Sequence, residues 1–133
     1  MPGLVLDTHA AVWYLQRDSR LSKAAEDAID RAIQAGDPAY VASISVVELT
    51  YLVEKGRVPA AALEILRESL TDPSSGFSVL PLDLAVADAL AKIPRKDVPA
   101  LPDRVIAATA LFLKLPLVTR DRKINEAELP TIW

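Results

Sequence analysis

The chain has 133 residues, 51% of them hydrophobic, with 15 basic against 18 acidic residues and a formal charge of -3. That length suits one domain spanning 1–133 that buries about two thirds of its unfolded surface, and the hydrophobic fraction excludes a disordered tail. With no cysteine and a single histidine, His9, the chain can form neither a disulfide, a thiolate nucleophile, a cysteine zinc site nor a multi-histidine metal centre, so any metal must be held by oxygen.

Along the chain, "GLVL" is a short apolar run of the kind that forms a buried strand, and "THAAVWYLQ" behind it has helical composition with Thr8 placed to cap. "SKAAEDAIDRAIQAG" opens on Ser22, repeats apolar positions at helical spacing and ends on Gly36, a natural helix stop. "AYVAS" reads as a second strand, "SVVELTYLVEKG" as a helix stopped by Gly56, and "PAAALEILRESL" as another helix. After "TDPSSG" comes the strand "FSVLP", then a helix from Asp83 through "DLAVADALAKI" that Pro94 ends. "PRKDVPALP" is irregular, Pro102 suits the first turn of the helix "PDRVIAATALFLKL", "PLVT" is a strand, and a last strand lies near "TIW". Strands alternating with helices predict a mainly parallel central sheet flanked by helices, a three-layer α/β sandwich. No run approaches the roughly 20 apolar residues of a membrane helix, and Met1 leads into "GLVLD" without a basic leader, so a soluble, unsecreted, cytoplasmic protein is expected.

Isolated acids interrupt this pattern. In open parallel sheets, sites form beyond the carboxyl ends of strands; Asp7 ends the first strand and Asp121 follows the fourth. Helix capping or dipole compensation accounts for Asp7, and dipole compensation for Asp103 in the turn after Pro102. Glu48 is harder to explain, being the one charged residue in "VASISVVELTYLV", where an unpaired buried carboxylate is unfavourable. Two like charges about 4 Å apart repel by roughly 4 kcal/mol at an effective dielectric of about 20. Four converging acids therefore need a counter-ion, and a hard divalent cation such as Mg²⁺ or Mn²⁺, which favours carboxylates, water and phosphate oxygens, supplies it.

Taken in order, "LVLDTHAAVWYL", "SISVVEL" followed by "EKGRV", "PDRVIAATAL" and "LVTRD" resemble the motifs of PIN-domain ribonucleases, most closely the VapC toxins of bacterial and archaeal toxin-antitoxin pairs. The resemblance spans nearly the whole chain. It implies that Asp7, Glu48, Asp103 and Asp121 form an acidic Mg²⁺ or Mn²⁺ site, with the Thr119 hydroxyl supporting it from the side. It also implies RNA cleavage, a homodimer and inhibition by a cognate VapB-like antitoxin. "LPLDLAVADALAKIPRKDVPALP" is less distinctive, and no specificity feature transfers there.

The expected reaction is hydrolysis of an RNA phosphodiester by a metal-activated water, with one carboxylate accepting its proton; which one is left open. Arg104, Arg120, Arg122 and Lys123 are candidates for contacts to the RNA backbone. His9 is expected to be a hydrogen-bonded structural residue, and Trp13, Tyr14 and Tyr51 core or subunit contacts. A phosphoacceptor domain would show paired acids after the first strand, and a haloacid-dehalogenase-type phosphatase an acid where His9 stands. The absence of GxGxxG and GxxxxGK[ST] sets nucleotide-binding readings aside. A catalytically silent PIN-like binding module is the other alternative.

Overall fold

A computed structural model of the chain describes residues 2–121, 124 and 129–133. Five strands, β1 (Leu4–Leu6), β2 (Ala39–Ala42), β3 (Phe77–Leu80), β4 (Leu117–Val118) and β5 (Thr131–Ile132), form one sheet in the order β3-β2-β1-β4-β5. Every pairing is parallel. The central strand β1 aligns Leu6 with Val41 on one side and with Val118 on the other, so three strands end at a common level. Such a sheet needs helical crossovers, and α1 (Thr8–Leu15), α2 (Lys23–Gln34), α3 (Ser43–Glu54), α4 (Ala60–Thr71), α5 (Leu84–Ala89) and α6 (Leu101–Leu113) provide them.

Alternation along the strands divides the core between the two faces of the sheet. Leu4, Leu6, Val41 and Val118 pack with Ala10, Trp13, Ile29, Leu49 and Leu66. Val5, Ala42 and Leu117 pack on the other face with Ile93, Val98, Ile106 and Ala110. The expected three-layer sandwich is therefore the observed one.

Local signals account for several helix ends. Ser22 caps α2 by accepting from the Ala25 amide, and Asp83 caps α5 by accepting from that of Val86. Gly36 (φ 77°) and Gly56 (φ 71°) stop α2 and α3 in the left-handed conformation that other residues adopt with strain. Two expectations need correction. Ser43 belongs to α3 rather than to the second strand. The helix from Asp83 ends at Ala89 and tightens into a 3-10 turn over Leu90–Lys92, because Ile93, preceding Pro94, is held extended (φ -99°, ψ 108°). Among the described residues no helix is long and apolar enough to cross a membrane.

Candidate active site

The carboxyl ends of β1 and β4 meet α1 and α6 at one pocket of about 200 Å³, lined by Asp7, His9, Trp13, Asp103, Thr119, Arg120, Asp121 and Trp133, while Glu48 of α3 is not among the lining residues. Asp7 sits where β1 becomes α1. Its amide donates to Val118 O (3.1 Å), while its Oδ1 accepts from the Ala10 amide (2.8 Å). Asp7, not Thr8, is therefore the cap of α1. One carboxylate oxygen is held as a cap, and the group also receives a hydrogen bond from the Thr119 hydroxyl. Burial nevertheless pushes the Asp7 carboxyl above the usual 3.8, outweighing those bonds and the nearby His9, with Glu48 adding to the rise.

Thr8, expected as a cap, is buried and turned toward α3. Its hydroxyl donates to Glu48 Oε1 at 2.6 Å and lies 2.9 Å from the Ser45 hydroxyl. Thr8 and Ser45 are 2% and 0% exposed, so the only charged side chain in that stretch of α3 is anchored by one buried hydroxyl, Thr8, which a second, Ser45, contacts in turn. Sequence reasoning missed both. The available signal was the spacing: Ser45 and Glu48 stand three apart on one helical face.

Asp103 occupies the first turn of α6, and its carboxyl is pushed up to about 6. Burial is the largest cause, followed by the charges of Glu48, Asp121 and Asp7, with His9 opposing. These interactions tie all four acids to one site although they come from four separate segments. No three of them bring carboxylate oxygens within 4.8 Å of one another. Among the described residues the group that meets that distance is Glu26, Asp27 and Asp30 on α2, elsewhere on the molecule. Thr119, 3% exposed, accepts from the Asp121 amide (3.1 Å), so one buried hydroxyl braces both Asp7 and the turn that carries Asp121.

The expected RNA contacts divide. Arg120 is exposed at the pocket rim. Arg104 does not fit the role, because its Nε donates to Ile93 O (2.8 Å) and its Nη2 to Leu90 O (3.2 Å), tying α6 to the 3-10 turn. Arg122 and Lys123 lie outside the described residues. His9, expected as a hydrogen-bonded structural residue, is exposed, lines the pocket and stacks on Trp13 (centroids 5.4 Å apart, planes at 29°). Trp13 is core as expected, whereas Tyr51 is 59% exposed.

A parallel α/β sandwich with four acids gathered beyond the ends of its central strands has the layout of a metal-dependent nuclease, and the chain belongs to the PIN-domain family, whose profile matches residues 4–129. It is 36% identical over 138 residues to ribonuclease VapC22 of Mycobacterium tuberculosis (strain ATCC 25618 / H37Rv), with both chains covered in full. Its fold is similar to that in VapBC2 from Rickettsia felis bound to a promoter DNA fragment (TM-score 0.70, 16% identity, 97% of this chain and 96% of that one). It is also similar to that in FitAcB from Neisseria gonorrhoeae (TM-score 0.59, 24% identity, 96% and 95%). Divalent-metal dependence is a general property of PIN nucleases, and an oxygen-only set of partly buried, mutually repelling carboxylates fits a hard cation.

Proposed function

We propose that this chain, as a single PIN-like unit over 1–133, is a Mg²⁺- or Mn²⁺-dependent endoribonuclease that acts as the VapC-type toxin of a toxin-antitoxin pair. The observation that carries the proposal is the convergence of acids from separate segments beyond the strand ends: Asp7, Asp103 and Asp121 line one pocket, and Glu48 is held by Thr8, the residue after Asp7. The Asp103 carboxyl is raised to about 6 by burial and then by Glu48, Asp121 and Asp7, a repulsion that a cation would relieve. Asp7, Glu48, Asp103 and Asp121 would hold the ion. When bound, it would supply charge neutralisation and water activation for phosphodiester hydrolysis. The chain's own residues do the rest. Thr119 orients Asp7; Thr8, itself in contact with Ser45, orients Glu48; and a carboxylate of the set takes the proton of the attacking water. Arg120, together with Arg122 and Lys123 of the same segment, would meet the RNA backbone.

A homodimer, a VapB-like antitoxin and a cytoplasmic location belong to the same reading. Support for protein partners comes from apolar side chains left in water: Leu84 is 76% exposed, Leu101 60% and Tyr51 59%. The test is cleavage of RNA by purified protein with added Mg²⁺ or Mn²⁺, expected to stop with EDTA; cleavage undiminished by chelation sinks the metal mechanism. Sedimentation is expected to give a dimer at micromolar concentration, and a monomer throughout overturns that part.

A further inference from the structure

We propose that the aromatic and cationic rim built on Trp13 is a subsite for one unstacked nucleotide of single-stranded RNA next to the scissile phosphate, with His9 and Trp133 taking the base and Arg120 the phosphate. The inference rests on the ribonuclease reading above and adds a substrate form to it.

The topology brings distant segments to one place. Trp133 follows β5 as Thr119 follows β4, with the Thr119 amide donating to Ile132 O (3.2 Å), so Trp133 reaches the mouth of the acidic pocket. There it meets Trp13 edge-on (6.1 Å, 62°), while His9, one helical turn before Trp13, stacks on it at 5.4 Å. The guanidiniums of Arg20 and Arg120 each lie 4.9 Å from the Trp13 ring. Trp13 itself is 5% exposed and acts as the floor.

The two arginines differ in a way that matters. Arg20 is held by Asp18 through two hydrogen bonds, Nε at 3.1 Å and Nη2 at 2.7 Å, so its charge is neutralised locally. Arg120 forms no ion pair with a carboxylate among the described residues and is exposed, a cation preset by its ring contact and open to an anion. Packing alone requires only that Trp13 be covered. It leaves unexplained why an exposed imidazole, a half-buried indole and an unneutralised guanidinium surround the same pocket as Asp7, Asp103 and Asp121. Aromatic faces beside a cation are the surface on which unpaired bases stack, and a duplex keeps its bases unavailable to them.

The sequence has two tryptophans, both in this rim, so intrinsic fluorescence reads the subsite directly. The probe is a short oligouridylate titrated with Mg²⁺ into the full chain carrying Glu48→Gln, which keeps the probe intact. Quenching is expected, with His9→Ala and Arg120→Gln each weakening binding by about fivefold or more. Trp133→Leu is expected to remove most of the quench, an RNA duplex of equal length to bind at least about tenfold more weakly, and Arg67→Gln on exposed α4 to leave binding unchanged. With Glu48 intact, His9→Ala and Arg120→Gln are expected to raise KM more than they lower kcat. If both variants bind oligouridylate as tightly as their parent while melting at lower temperature, the rim is packing and the subsite is wrong. If the unmodified chain neither binds nor cuts RNA with metal, the ribonuclease reading falls and the subsite with it.

Discussion

Two groups of acids on this molecule invite the same interpretation and should not receive it. Glu26, Asp27 and Asp30 on α2 lie closer together, their oxygens all within 4.8 Å, whereas Asp7, Glu48, Asp103 and Asp121 stand further apart. Yet the α2 acids are already answered. Lys23 lies 3.1 Å from Asp27 and 3.6 Å from Glu26, and Tyr14 donates its hydroxyl to Asp30 at 2.6 Å, its own proton held up to about 12 by burial and by that carboxylate. Asp7, Glu48 and Asp103 form no ion pair with a basic side chain among the described residues, and burial pushes Asp7 and Asp103 toward neutrality. Proximity therefore misleads where compensation decides. A cation gains most where carboxylates lack any other means of neutralisation.

The largest effect that breaks or sustains this contrast is on activity. Glu48→Gln keeps the size of the side chain and its contact to Thr8 but removes the charge, and is expected to lower RNA cleavage by at least about a hundredfold while the protein folds and dimerises normally. Glu54→Gln, on the exposed end of the same helix, is expected to cleave at the parental rate. Equal activity of the two variants removes Glu48 from the site and leaves it to the three acids that line the pocket.

Next in size is stabilisation by metal. Mn²⁺ at about a hundredfold over its Kd should add about 2.7 kcal/mol, a rise of several degrees in melting temperature, because it binds the folded site and not the unfolded chain. Asp7→Asn is expected to lose most of that rise. A rise of parental size in Asp7→Asn places the ion elsewhere.

Much of this arrangement was legible before any coordinates. Short apolar runs marked β1 to β4, Ser22 and Asp83 marked helix starts, and the acids stood out by position: Glu48 alone in an apolar stretch, Asp7 and Asp121 after strands, and Asp103 in a first helical turn. What stayed hidden depends on contacts across the sheet. Thr8 reads the same whether its hydroxyl caps α1 or reaches forty residues ahead to Glu48, and only the packing of α1 against α3 decides it. Arg104 looked like a free cation beside Asp103 because nothing local shows that the carbonyls of Ile93 and Leu90 will lie under it. The union of Trp13 with Trp133 depends on the last strand returning beside β4, which no local pattern encodes.

A smaller effect concerns acidity. Since the folded-state value of Asp103 is about 6 against the ordinary 3.8, the folded protein holds that proton more tightly than the unfolded chain. The resulting stability is fully present below 3.8 and is lost as pH rises through about 6. Metal-free protein is thus expected to lose stability across that window, and Asp103→Asn to abolish the Asp103 part of the loss. At pH 7 the variant should be more stable than its parent by about 1 kcal/mol, solvent screening of a half-exposed carboxyl being allowed for. It should also have no cleavage activity. Chemical denaturation in EDTA at pH 4 to 7 measures it, and unfolding of Asp103→Asn without metal would mean that Asp103 is a structural cap of α6.

The smallest expected effect bears most directly on the contrast between the two acid groups. Asp27→Asn removes one of the three clustered charges on α2 and one partner of Lys23, a side chain that is 80% exposed. An exposed i,i+4 pair contributes little, so stability should move by no more than about 0.5 kcal/mol. The two remaining acids keep Lys23 and Tyr14 as partners, so nothing new is left buried and uncompensated. RNA cleavage and the Mn²⁺-induced rise in melting temperature should match the parent. If Asp27→Asn instead removes the Mn²⁺ response while Asp7→Asn keeps it, the ion belongs to α2. Closeness of oxygens would then have been the better guide, and compensation by Lys23 and Tyr14 would not be what excludes a cation there.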